Sequence, residues 1–166
     1  MKLALSIWRQ DGPDAPGRLV DYTAEDFDSK IATNLAGFFH ITQRVATEML
    51  KQRSGHIVSI TTSLVDHPNG SVPSALANLT KGGINSATKA LAIEYATKGI
   101  RVNAVSPGII KTPMHAPETH EFLAALHPMR QLGEIRDIVE AVLFLESAAF
   151  VTGEILHVDG GQSAGH

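Results

Sequence analysis

Lys81 is followed by two glycines in the stretch PSALANLTKGG, inside a run that is otherwise small and apolar. Adjacent glycines within a helix cost about 1 kcal/mol each relative to alanine, so Gly82-Gly83 points to close approach of another backbone or of a partner helix. A second chemically competent pair is Thr62-Ser63, at the end of the β-branched run HIVSITTS. A hydroxyl at such a strand end can donate to a carbonyl oxygen while accepting a second bond. Eight histidines supply groups that titrate near neutrality, of which His67 lies in the loop that follows the hydroxyl pair. His115, His120 and His127 with Glu118 and Glu121 invite a metal reading. None of them forms HExxH or another short chelating pair, and no cysteine is present, so no metal site is expected.

The elements that must position these groups follow from periodicity. Thr23 with Glu25 and Asp26 is a helix start, a capping hydroxyl with carboxylates in the first turn. Phe27, Ile31, Leu35, Phe38, Val45 and Met49 then recur at helical spacing, which predicts one long amphipathic helix over 24–51. His56 to Thr62 reads as a strand, and Asp66 to Gly70 as a loop. A second long helix is predicted over 74–98, closed by Gly99, and a strand from Ile100 to Ser106, broken by Pro107-Gly108. Residues 109–131 hold three prolines and one short helix near 118–126; a helix from Glu134 to Glu146 and a strand from Glu154 to Val158 complete the chain. This alternation, with crossovers long enough for parallel pairing, gives an α/β class with an open parallel sheet. Only three strands are predicted, so the first would carry a β-branched edge unless something covers it.

At 166 residues one domain is expected, burying roughly 70% of its unfolded surface. The net charge of −3, with both signs mixed along the chain, offers no basic field for nucleic acid or anionic membrane. Absence of cysteine excludes disulfide and thiolate chemistry and fits a cytoplasmic location. The opening MKLALSIWRQ is too short in apolar run for a signal or a span, and QDGPDAPGR reads as a linker. The expected organisation is an irregular segment over 1–17 and a domain over 18–166.

In this order and spacing, TNLAGFF, HIVSITTS, TKGGINSATKALAIEYATKGIRVNAVSPGIIKTPM and FVTGEILHVDGG resemble the C-terminal half to two-thirds of a short-chain dehydrogenase/reductase. The resemblance implies a Rossmann-like, doubly wound parallel sheet, truncated here, and NAD(P)-linked hydride transfer between a carbonyl and an alcohol. It implies that Asn34 holds a water and relays protons toward the lysine. It implies that Thr62 or Ser63 orients the substrate carbonyl, the register being unsettled and Ser63 preferred. Lys81 matches the lysine that binds the nicotinamide ribose and lowers the pKa of a neighbouring phenol. Pro107, Gly108 and Thr112 match PGxxxT, whose groups bind the nicotinamide carboxamide.

The same comparison exposes two gaps. The family places a tyrosine four residues before the lysine, where Ala77 stands; Tyr22 and Tyr95 have the wrong spacing. The family's TGxxxGxG turn is also missing, since no glycine cluster follows a strand and opens a helix. The expectation is therefore an oxidoreductase by descent, for NAD or NADP and a small-molecule substrate, inactive as this chain. The rival readings are a non-catalytic partner of a full-length relative, or a truncated product without independent function. As in relatives, association is expected through the helices at 24–51 and 74–98, as a homo-oligomer or with such a relative.

Overall fold

The computed structural model describes residues 5–9, 18–22 and 24–165, with side chains from residue 27 onward. Strands β1 (Leu5–Arg9) and β2 (Arg18–Tyr22) form an antiparallel pair in the register Leu5 to Tyr22 and Arg9 to Arg18. Composition had marked 1–17 as irregular, yet Leu5–Arg9 is extended and paired. The linker residues 10–17 lie outside the described residues.

The single helix expected over 24–51 is divided. Helix α1 (Ala24–Lys30) and helix α2 (Gly37–Gln52) are joined by a π-helical segment over Ile31–Ala36, in which the Gly37 amide reaches back five residues to the Ala32 carbonyl. Apolar spacing reports which face is buried and is blind to one extra residue in a turn, which is why the break was not foreseen. Strand β3 (Gly55–Ile60) follows, then a 3₁₀ turn at Ser63–Val65 and helix α3 (Ala75–Tyr95). Gly99 ends the next 3₁₀ turn at φ +77°, and a Cβ there would collide with the Arg53 carbonyl, so glycine is required. Strand β4 (Ile100–Pro107), the short helix α4 (His120–Ala124), helix α5 (Ile135–Ser147) and strand β5 (Ile155–Val158) complete the order.

The main sheet is parallel, in the order β3-β4-β5. Central β4 is almost wholly buried, whereas β3 is only half-buried and pairs with β4 alone among the described residues. One face packs Ala92, Ile100 and Val102 against Met49 and Leu91 of the α2 and α3 layer. The other packs Val105 against Ala141 and Leu145 of α5. Helices on both faces of a parallel sheet make this the doubly wound class that the sequence implied. At the N-terminal end of the strands, Arg101 donates to the Leu145 carbonyl at 2.6 Å, fastening α5 to the sheet, and Asn103 Nδ2 meets His56 Nε2 at 2.9 Å between β4 and β3.

Candidate functional site at the C-terminal ends of the strands

The π segment and α3 meet at a bond between two side chains. Asn34 Nδ2 donates to Thr80 Oγ1 at 3.0 Å, and the fully buried Thr80 hydroxyl lies 3.0 Å from the Leu76 carbonyl and 3.2 Å from that of Ala77. The amide of Asn34 therefore engages the residue before Lys81 rather than the lysine itself. Asn34 lies within the π segment, and nothing in the sequence pattern had singled out Thr80 as its partner.

Lys81 reaches across to the end of β3, where Nζ donates to the Ile60 carbonyl at 2.8 Å. Burial pushes its pKa below the ordinary lysine value of 10.5, and the Lys30 ammonium adds to the effect. Ala77, one turn earlier on α3, is half-buried and presents only a methyl group. The close approach expected at Gly82-Gly83 comes from side chains of the same chain. A Cβ on Gly83 would stand 3.2 Å from Leu35 Cδ2, tight packing against the π segment, while one on Gly82 would make an ordinary 3.6 Å contact with Val65.

The hydroxyl pair is divided by the turn that follows β3. Thr62 is half-buried and its side chain accepts from the Leu64 amide at 3.4 Å, capping the 3₁₀ turn. Ser63 is fully buried and donates to Gln162 Oε1 at 3.0 Å. Gln162 is itself 2% exposed and sits in a turn organised by Asp159, whose carboxylate accepts from the Gly161 amide at 3.0 Å and the Ser163 amide at 2.8 Å. Burial acts to raise the pKa of Asp159, but the bonds from Ser163 and Gly161 outweigh it and hold the carboxyl below 3.8. A second tie joins the same loop to β5, His157 Nε2 to Asp66 Oδ2 at 2.9 Å. The sequence reading ended the last strand at Val158 and did not foresee Gln162 or its link to Ser63.

Pro107 and Gly108 end β4 beside the end of β5, and Gly108 N donates to the Val158 carbonyl at 3.0 Å. A Cβ on Gly108 would stand 2.7 Å from His127 Nε2 and 2.9 Å from Asp159 Cα, so packing within the chain already demands glycine here. His127, 2% exposed, accepts the Ile109 amide on Nε2 at 3.0 Å, and its Nδ1 is buried beside the Ala124 carbonyl without a hydrogen bond of good geometry. Burial lowers the His127 pKa, opposed by the Ala124 carbonyl and Asp159. Thr112 is half-buried on the loop beyond, its carbonyl accepting from His115 N at 3.0 Å.

For a nicotinamide, the fit of these residues is limited to the Lys81 ammonium and the Thr112 hydroxyl, because the Gly108 and Ile109 amides are already engaged. The histidines weighed for a metal are dispersed: His120 Nε2 contacts the His115 carbonyl, His127 faces Ile109, and no metal-binding cluster of three occurs among the described residues. No helix among the described residues is long and apolar enough to cross a membrane.

The family model described as enoyl-(acyl carrier protein) reductase matches residues 9–163. The chain is 36% identical over 149 residues to the 3-oxoacyl-[acyl-carrier-protein] reductase FabG of Buchnera aphidicola, covering 86% of this chain and 60% of that protein. It thus spans about 60% of the length of the curated relatives it matches. Among solved structures, ElxO with NADP bound superposes with a TM-score of 0.80 at 31% identity, covering 98% of this chain and 66% of that one. A 3-oxoacyl-[acyl-carrier protein] reductase from Brucella melitensis with bound NAD gives 0.77 at 30% identity, covering 86% and 53%.

Proposed function

Because the chain belongs to the short-chain dehydrogenase/reductase family, we propose that it descends from NAD(P)-linked reductases of small carbonyl compounds and that, as this sequence, it lacks their proton-transfer step. The observation that carries the reading is the pairing of Ala77 with Lys81. The lysine is present, half-buried and directed at the Ile60 carbonyl, and the residue one turn before it has no proton to give. A positioned general acid contributes about 10²–10⁴-fold to such reactions.

Asn34, Lys81 and Ser63 are the family-matched residues at this end of the sheet, with Ser63 preferred over Thr62 for orienting a carbonyl. In this structure its one hydroxyl proton is donated to Gln162 and the side chain is fully buried, so orienting a carbonyl would require that bond to be exchanged for one to the substrate. Lys81 and Thr112 would hold the nicotinamide end of NAD or NADP, which when bound supplies or accepts a hydride. The sequence contains no glycine turn suited to the pyrophosphate. The test is NADH and NADPH oxidation by the purified chain with a panel of small ketones. No turnover above the uncatalysed rate is expected. Turnover that disappears in Lys81→Met would overturn the reading.

A second reading is favoured by the half-buried β3, whose far edge pairs with nothing among the described residues, and by Phe39, Ile41 and Ile93, exposed on α2 and α3. It is that the chain works as a non-catalytic partner of a full-length relative. Co-expression of tagged chain with such a relative tests it: stable co-purification supports it, and separate elution sinks it.

A further inference from the structure

Resting on the reading of this end of the sheet as the substrate side, we propose that the cleft between the loop at 67–71 and the turn at 125–130 receives the carboxylate of an oxo-acid substrate, with Arg130 as its anchor. The cleft has a volume of about 590 Å³, within the range of small-molecule sites. Its polar walls are His67, Asn69, Ser71, His127 and Arg130, and no aspartate or glutamate lines it. In a chain of net charge −3 this is a local reversal of sign. It adjoins the candidate site, since the His67 amide bonds the Ser63 carbonyl at 2.9 Å.

Arg130 is held in place by its backbone. Its φ of +56° lies in the left-handed region that favours glycine, and the one other non-glycine residue there among those described, Arg53, is a helix C-cap. Arg130 closes no described helix. Its conformation is fixed by its amide on the His127 carbonyl at 2.9 Å and by Met129 N on the Gly160 carbonyl at 3.1 Å. The guanidinium makes a 3.3 Å contact to the Ala125 carbonyl and pairs with no carboxylate among the described residues. With Nε2 of His127 accepting from Ile109, the ring proton belongs on Nδ1, which is buried in the wall beside the Ala124 carbonyl, whereas Arg130 itself is exposed. A single planar guanidinium matches a carboxylate in a two-bond fork; it can fork onto a phosphate as well, and the carboxylate is preferred because the adjoining site is read as one for a carbonyl compound.

The experiment is a titration of the intact chain, followed by the Arg130 side-chain and histidine ring NMR signals, with acetoacetate, its neutral methyl ester and inorganic phosphate. Acetoacetate is expected to shift these signals saturably, with the ester and phosphate each at least about tenfold weaker. Arg130→Gln is expected to abolish the shift of the histidine signals. Arg130→Gly removes the side chain while suiting the backbone, so this variant stays folded and should also fail to bind. Equal affinity for acetoacetate and its ester, equal affinity for phosphate, or undiminished binding in Arg130→Gly would each overturn the assignment. No hydride transfer is measured, so detection of turnover elsewhere would defeat the reading of lost proton transfer and leave this result unaffected.

Discussion

Ser63 Oγ and Gln162 Oε1, separated by 99 positions in the chain, form a 3.0 Å hydrogen bond sealed from solvent on both sides. Removing either partner leaves the other buried and unsatisfied, which costs about 1–3 kcal/mol. Ser63→Ala and Gln162→Ala should therefore each lower stability in urea unfolding by that amount. The double variant should lose less than the sum, with a coupling of about 0.5–3 kcal/mol. Strict additivity would show that the bond does not hold the loop.

Calorimetric titration of the chain with NAD(H) and NADP(H) should give no binding tighter than millimolar. Related folds take most of their pyrophosphate contacts from a glycine turn and helix N-terminus, which this sequence does not contain. A micromolar dissociation constant for either cofactor would contradict the expectation.

Ala77→Tyr in this chain should not restore turnover, because hydride transfer also needs a turn that binds the cofactor pyrophosphate, and this sequence shows no glycine motif for one. Transplanting Ala75–Tyr95 into a full-length relative provides the informative host. There, tyrosine at the position of Ala77 should raise turnover about 10²–10⁴-fold over alanine. Should the alanine form already be fast, another group gives the proton, and His67, beside the Ser63 turn, is the first residue to replace.

His127 gives stability a defined pH dependence. Its folded pKa is below the unfolded value of 6.5, so between the two the unfolded chain binds the extra proton. The contribution is complete above pH 6.5 and declines as pH falls through the folded value. Urea midpoints should therefore rise from pH 5 to pH 7, and His127→Gln should flatten that rise. Asp159 acts in the same direction in a lower window, below 3.8, because its folded pKa is also depressed.

Phe39 and Ile41 on α2 and Ile93 on α3 are 60%, 64% and 80% exposed, large apolar side chains left open to solvent on both helices. Light scattering at micromolar concentration should show self-association. Phe39→Glu with Ile93→Glu should shift the distribution toward monomer. A wild-type chain that remains cleanly monomeric would refute association through these helices.

Residue pattern alone carried the alternation of helices and strands from residue 24 onward and the parallel class, but not the π break at 31–36. Apolar periodicity, β-branched runs and glycine stops are local quantities, and they placed β3, α3, β4, α5 and β5 to within a few residues. It also showed that position 77 carries no ionisable group, which holds in any conformation. Tertiary structure alone decided the partners. The π segment gives Asn34 to Thr80, the Asp159 turn gives Gln162 to Ser63, and the ends of β4 and β5 enclose His127. Each of these depends on where two distant segments cross, and residue spacing along one segment carries no term for that crossing. The β1 and β2 pair was missed for the same reason, because an isolated strand of mixed polarity is recognisable only beside the strand it bonds.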